Sequence, residues 1–182
     1  MPKMIIGFVG QAGAGKGTAS EILAQKANVQ IFTFSDILAD LLKRLYIEKS
    51  RDNLIKISTA LREAFGQSTL ANVMKKQVQQ SQADIIIVDG IRRMEDIEDL
   101  NKDPKFHLVE IQTLPEIRFE RLKNRNEKAG EGNMTWEEFL ALGERETEKT
   151  ITEVAKLAKY RIDNDGNLEE LKKKLETLIQ NF

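Results

Sequence analysis

Residues Gly10–Thr18 read GQAGAGKGT, and the rest of the chain is arranged around them. The apolar run Met4–Val9 before them predicts a strand, and the pattern over Thr18–Lys26 predicts a helix. A glycine-rich turn between a strand and a helix can surround an anion with backbone N–H groups and the positive helix end. The lysine adds a full positive charge. The sequence therefore predicts a phosphate-binding loop.

The spacing of Gly10, Gly15 and Lys16 matches the nucleotide-binding pattern G-x-x-x-x-G-K. The next position usually carries a hydroxyl for Mg²⁺, but here it is Gly17, and the hydroxyl follows at Thr18. The alternative is a glycine-rich turn with a lysine by chance. The preceding strand and the following helix favour phosphate binding.

The composition predicts one soluble domain. The chain has 182 residues, 41% hydrophobic and 31% charged, with a net charge of −1 that gives no general affinity for nucleic acid. It has no cysteine, which excludes disulfides and thiolate zinc sites. We expect its one histidine, His107, to have a structural role. No run reaches transmembrane length. We expect a cytoplasmic protein without a membrane partner, with a monomer as the default and the oligomeric state open.

Short β-rich runs alternate with longer helical patterns, which is typical of a parallel sheet covered by helices. The predicted strands are Met4–Val9, Val29–Phe34, Asp84–Asp89, Phe106–Gln112 and Tyr160–Asp163. Ligands bind beyond the carboxyl ends of the strands in such sheets. The candidate site residues are therefore those that follow each strand.

A helical insertion over about residues 36–82 separates the second and third strands. It is longer than a simple crossover, and we expect it to enclose a second substrate. An apolar stripe over Leu54–Phe65 predicts one of its helices, which Gly66 ends. Asp36 at its start is either a helix N-terminal residue or a contact for a substrate hydroxyl or base. Arg62 is either a substrate contact or a surface charge.

The third strand ends in Asp89, followed by Gly-Ile-Arg92-Arg93. An acid in this place can hold Mg²⁺, directly or through water. The alternative is that Asp89 caps a helix predicted over Met94–Leu100. A cap alone does not need the following arginine pair, so the functional interpretation is favoured.

The segment over about residues 126–148 predicts a lid. The first part of this segment holds glycines among charged residues and shows no periodicity. Arginines lie on either side of that first part, at Arg125 and Arg145. A lid would exclude water and bring positive charge to a transferred phosphoryl group, and the alternative is a solvated surface helix. After the fifth strand, Asp165 and Gly166 form either a tight connection or a turn whose backbone holds a base.

Taken in order, these motifs resemble the nucleoside monophosphate kinase superfamily. The quoted motifs are GQAGAGKGT, Ser-Asp-Ile-Leu after the second strand, VDGIRR, ERLKNR and the turn over Ile162–Gly166. The pattern is closest to the small adenylate-kinase-related, dephospho-CoA-kinase-like proteins. The resemblance implies one domain over 1–182, with a three-layer α/β P-loop NTPase fold: a five-stranded parallel sheet, a helical acceptor insertion and a lid.

The resemblance also implies roles. The cofactors would be ATP and Mg²⁺, the partner a small phosphate acceptor, and the metal residues Thr18 and Asp89. Residues that would hold ATP are Gly10, Ala12, Gly13, Ala14, Gly15, Lys16, Gly17, Thr18, Arg121, Asp165 and Gly166. Residues that would act in catalysis are Lys16, Asp89, Arg125 and Arg145, and the candidate substrate contacts are Asp36, Arg62, Arg92 and Arg93.

One departure from the family pattern concerns the acceptor. Adenylate kinases place an acceptor-phosphate arginine three residues after the acid at position 36, and this chain has Ala39 there. Acceptor binding must therefore differ, with Arg62 or Arg44 as replacements. A nucleoside monophosphate is the favoured acceptor. Dephospho-CoA, and a nucleotide-binding switch without any small acceptor, stay open as alternatives.

Overall fold

The computed structural model describes residues 2–26, 28–125 and 134–182, without the side chains of Arg51, Arg125 and Thr147. Five parallel strands form one sheet in the order β2-β3-β1-β4-β5. They are β1 Met4–Val9, β2 Val29–Thr33, β3 Ile85–Asp89, β4 Phe106–Gln112 and β5 Tyr160–Asp163. The predicted strands are confirmed to within one residue at each end. β1 lies at the centre, so the loop that follows it opens in the middle of one sheet edge.

Eight α-helices form among the described residues. They are α1 Lys16–Ala24, α2 Phe34–Arg44, α3 Arg51–Phe65, α4 Thr69–Gln80, α5 Pro115–Arg125, α6 Trp136–Gly143, α7 Glu146–Ala155 and α8 Leu168–Gln180. Helices α1 and α8 pack on one face of the sheet, and α2, α4 and α7 pack on the other. This gives three layers. The strands bury apolar side chains on both faces, as expected for a covered parallel sheet. None of the described helices has the length and apolar character needed to cross a membrane.

Helices α2, α3 and α4 form the predicted insertion between β2 and β3. Gly66 ends α3 with φ of 97°, a conformation that favours glycine. Leu54, Ile57 and Leu61 pack against the core as the apolar stripe predicts. Phe65 does not, because it lies in the last turn of α3 and its side chain is 74% exposed.

The prediction of a helix over Met94–Leu100 is wrong. That segment instead forms two short 3₁₀ turns, Met94–Asp96 and Leu100–Lys102. The first turn is closed by Asp96, whose carboxylate accepts the backbone N–H groups of Arg92 and Arg93. A side chain that satisfies these donors locally competes with continuing a helix.

Candidate phosphate-binding site

Three glycines in the loop between β1 and α1 have a positive φ and no room for a Cβ: Gly10, Gly13 and Gly15. Gly10 has φ of +153°, and a Cβ there would overlap the carbonyl oxygen of Ile111 in β4. Gly15 has φ of +98°, and a Cβ there would overlap Nδ2 of Asn164. The neighbouring strand and the turn after β5 therefore pack directly against the loop. This close packing holds the loop in one shape.

The side chain of Lys16 folds back onto the backbone of the loop. Its Nζ donates to the carbonyl oxygens of Gly10 at 2.7 Å and Gln11 at 3.2 Å. Helix α1 begins at Lys16 with no acidic residue in its first turn, and among the described residues no side chain caps its N-terminus. Gly17 and Thr18 in that turn are exposed. The first N–H groups of a helix have no partner within it, so this helix end fits an anionic ligand.

Two residues far along the chain hold the peptide groups of Ala12. Its N–H donates to Oε2 of Glu148 in α7 at 3.3 Å, and its carbonyl accepts from Nη1 of Arg118 in α5 at 3.3 Å. The Arg118 guanidinium lies 5.2 Å from the ring centroid of Phe139. Burial lowers the pKa of Arg118, and the charge of Glu148 opposes this effect. The sequence did not identify either residue, because their partners lie more than 100 positions away.

The other side of the loop contacts the turn after β5. Nδ2 of Asn164 donates to the carbonyl of Ala14 at 2.9 Å, and Oγ1 of Thr113 donates to the same carbonyl at 3.1 Å. Nη2 of Arg121 donates to the carbonyl of Asn164 at 2.8 Å, and it lies 3.4 Å from that of Gly166. Arg121 and Gly166 are thus brought together beside the loop.

The same turn is tied to the segment between β4 and α5 by Asp165, whose Oδ1 accepts from the backbone N–H of Leu114 at 2.8 Å. Asn164 is the residue that sequence reasoning missed here. Its position directly before Asp165, at the end of a strand, was the available signal.

Asp89 is the last residue of β3, and Asp36 lies in the first turn of α2, which follows the neighbouring strand β2. Asp89 pairs in register with Thr33 at the carboxyl ends of β3 and β2, and its Oδ1 accepts from the N–H of Gly90 at 2.7 Å. Thr33, not Asp36, is the N-cap of α2, because its hydroxyl accepts from the N–H of Asp36 at 3.0 Å. The Asp36 carboxylate is exposed, 3.8 Å from Nζ of Lys49. Both acids lie at the sheet edge that carries the loop.

The predicted acceptor arginines differ in exposure. Arg92 is exposed and Arg93 is partly exposed. Arg62 is buried, and its Nη2 lies 3.0 Å from Oδ1 of Asp96. Arg145 is exposed at the N-cap of α7. The direct substrate contacts of these residues stay predictions.

Part of the predicted lid lies outside the described residues, namely the Arg125 side chain and residues 126–133. Within the described parts of the chain, no group of three or more His, Cys, Asp or Glu side chains could hold a metal by itself. Mg²⁺ commonly binds one or two carboxylates together with substrate phosphates. The roles of Thr18 and Asp89 in such a shared site stay predictions.

Comparisons with known proteins identify relatives of this chain. Residues 9–140 match the AAA domain family. A UPF0200 protein of Methanocaldococcus jannaschii is 31% identical over 97% of this chain and 89% of its own. One from Sulfurisphaera tokodaii is 30% identical over 97% and 96%.

Solved structures share the fold. Shikimate kinase from Bacteroides thetaiotaomicron has a TM-score of 0.64 at 17% identity, covering 98% of this chain and 97% of its own. Shikimate kinase from Acinetobacter baumannii, solved in complex with shikimate, has a TM-score of 0.56 at 20% identity, covering 98% and 93%. The fold is that of the P-loop proteins with a kinase-like structure. The chain therefore belongs to the AAA domain family and to the UPF0200 family.

Proposed function

We propose that the protein is an ATP- and Mg²⁺-dependent phosphotransferase that moves the γ-phosphoryl group to a small acceptor, with a nucleoside monophosphate favoured. The observation that carries the proposal is the loop itself. Lys16 and the first turn of α1, which holds no acidic residue, present positive charge at the centre of the sheet edge. The backbone of the loop is held by α5, α7 and the turn after β5. Phosphoryl transfer depends mainly on such positioning and charge neutralisation.

The donor half of the site follows from the loop. The backbone of Gly10–Thr18 and the Lys16 ammonium would bind the ATP phosphates, and Thr18 with Asp89 would orient the bound Mg²⁺. Bound Mg²⁺ neutralises charge that develops on the phosphate oxygens. Arg121 and the turn at Asp165 and Gly166 form a polar wall beside the loop, suited to the nucleoside end of ATP.

The acceptor half is supported by the neighbouring sheet edge. Arg92 and Arg93 follow β3 next to Asp89, and Asp36 follows β2, so cations and an acid flank the loop on the side of the insertion. An arginine pair suits an acceptor phosphate. A small acceptor is also in keeping with the shikimate kinases of the same fold, one of which is solved with shikimate.

A dephospho-CoA-like acceptor is the second candidate. The exposed Asp36 carboxylate at the sheet edge favours it, because such an acid can accept the proton of an attacking hydroxyl. A third possibility is an ATP-binding switch that has no small acceptor. A cytoplasmic location suits all three, since each draws on cellular ATP.

A panel of acceptors tests the proposal. ADP formation is measured with AMP, GMP, CMP, UMP and dephospho-CoA, beside ATP alone. Turnover stimulated by a monophosphate supports the favoured acceptor, and stimulation by dephospho-CoA alone supports the second. ATP binding without stimulation by any of them indicates a switch. Failure to bind ATP would refute all three interpretations.

A further inference from the structure

A buried ion pair joins the helical insertion to the turn after β3. Nη2 of Arg62 in α3 lies 3.0 Å from Oδ1 of Asp96, and the two side chains are only 7% and 2% exposed. Nη1 of Arg62 also donates to the carbonyl of Gln67 at 2.6 Å, which fixes the guanidinium at the end of α3. The pair bridges 34 positions of the chain.

The second carboxylate oxygen of Asp96 holds the turn that carries the arginine pair. Its Oδ2 accepts from the backbone N–H groups of Arg92 and Arg93, each at 3.0 Å. One carboxylate therefore connects α3 on one side with the backbone of both arginines on the other. Moving Arg62 would displace the acceptor for those two N–H groups.

Stability alone does not explain such a pair. Removing two charges from water costs free energy that their attraction often fails to recover, and apolar residues of similar volume are often as stable. The pair instead fixes the position of the turn that holds Arg92 and Arg93, because both oxygens of the Asp96 carboxylate accept from fixed donors. In the proposed function, the two arginines of this turn face the acceptor.

We propose that Arg62 and Asp96 are positioning residues for acceptor binding. They set the Arg92–Arg93 turn relative to α3, so that the affinity for the acceptor depends on the link between the insertion and the sheet. The proposal rests on the proposed function. It gives Arg62 an indirect role, exerted through Asp96, in place of the direct substrate contact predicted from sequence.

The chain offers a matched control pair. Nζ of Lys75 in α4 lies 2.8 Å from Oδ2 of Asp99, so this pair also joins the insertion to the segment after β3. Its side chains are 42% and 32% exposed, and its hydrogen bonds do not involve the N–H groups of Arg92 or Arg93. Lys75→Met therefore removes a similar link without changing the hydrogen bonds of the arginine turn.

The test compares Arg62→Met, Asp96→Asn, the double variant and Lys75→Met, with the monophosphate that turns over fastest in the panel. Arg62→Met and Asp96→Asn should raise the KM for this acceptor about 10- to 100-fold, as a small misplacement of binding groups does, with KM for ATP and kcat changed less than about twofold. Lys75→Met should leave all three constants unchanged. Equal rises in the KM for ATP and for the acceptor, or the same rise in Lys75→Met, would overturn the proposal.

The double variant separates positioning from stability. It leaves no unpaired buried charge, so it should recover much of the melting temperature that Arg62→Met loses, while its acceptor KM stays high. Recovery of the acceptor KM together with the melting temperature would indicate a merely structural pair and would contradict the proposal.

Amide hydrogen exchange tests the link between Arg62, Asp96 and the Arg92–Arg93 turn without any turnover. If no acceptor is phosphorylated, the proposed function fails, but this link can still be measured. Arg62→Met, which leaves Asp96 in place, should speed exchange at the amides of Arg92 and Arg93 at least about tenfold, and Lys75→Met should not. Unchanged exchange in Arg62→Met would overturn the link.

Discussion

The side-chain amide of Asn164 donates a 2.9 Å hydrogen bond to the carbonyl of Ala14, across 150 positions of the chain. The same asparagine fills the space where a Cβ of Gly15 would lie, and its own carbonyl accepts from Arg121. Asn164 is 5% exposed. It thus joins the phosphate loop, α5 and the end of β5 at one buried point, which makes it the main support of the loop on that side.

Asn164→Ala should weaken ATP binding about tenfold and lower the free energy of unfolding by about 1–3 kcal/mol. The reason is that the variant removes a buried hydrogen bond and leaves the loop free to relax into the vacated space. Isothermal titration with ATP and chemical denaturation measure the two effects.

Asn167→Ala is the control for this variant. Asn167 caps α8, where its Oδ1 accepts from the N–H of Glu170 at 3.0 Å, and it is not among the partners of the loop. Its loss should cost about 1 kcal/mol of stability with ATP affinity unchanged. Asn164→Ala binding ATP as well as Asn167→Ala does would mean that Asn164 does not support the loop.

Gly15→Ala should be strongly destabilising. Gly15 has φ of 98° and ψ of 19°, a left-handed conformation that costs an alanine about 1–2 kcal/mol. A Cβ there would also overlap Nδ2 of Asn164. Denaturant unfolding measures the loss of stability, and the part above the cost of the left-handed conformation reports the contact with Asn164. Gly17→Ala is the control, because nothing lies within 4 Å of a Cβ at Gly17.

Combining Gly15→Ala with Asn164→Ala checks this reading, because the second change removes the overlapping atom. The double variant should be more stable than the sum of the single effects predicts. Strict additivity would show that the overlap does not determine the cost at Gly15.

The single histidine gives a pH prediction. His107 stacks on Phe182 with ring centroids 3.9 Å apart, and burial, with a smaller effect from Lys159, lowers its pKa in the folded protein. The unfolded chain then binds the proton more tightly, so stability from this group is complete above about pH 6.5 and is lost as the pH falls below it. His107→Phe keeps the stack and removes the titration.

Melting temperatures at pH 7.5 and 5.5 measure this effect. The wild type should lose more stability over the interval than His107→Phe loses. Parallel losses in both proteins would assign the pH dependence to other groups.

The strands were predictable from sequence because β1 and β3 are runs of mostly apolar residues and β4 buries apolar residues on both faces. The helices were predictable because residues such as Gly66 mark their ends. The error over Met94–Leu100 has a local cause: Asp96 accepts N–H groups of its own turn, which a periodicity argument does not detect. Phe65 fits the apolar stripe of α3 but extends beyond the surface that the core covers.

The site was predictable where its residues are consecutive, as in Gly10–Thr18. Asn164, Glu148 and Arg118 were not predicted as parts of the loop, because folding alone brings them to Ala14 and Ala12. Of the three, only Asn164 had a signal in the sequence, its position at the end of a strand directly before Asp165. Arg118 and Glu148 had none, because their partner Ala12 lies over 100 positions away. The sequence predicted a helix that contains Arg62. It did not predict that Arg62 is buried and paired with Asp96.

Following the γ-phosphate of labelled ATP shows whether the protein transfers this group to an acceptor. With the acceptors of the panel present, the label should appear on one acceptor. Lys16→Ala should reduce this transfer by about 10³-fold or more, since in the proposed function the Lys16 ammonium would neutralise charge on the transferred group. Lys159→Ala, which removes an exposed lysine outside the loop, should transfer label at the wild-type rate. Label found only as inorganic phosphate, or full transfer by Lys16→Ala, would contradict the assignment of this chain as a small-molecule kinase.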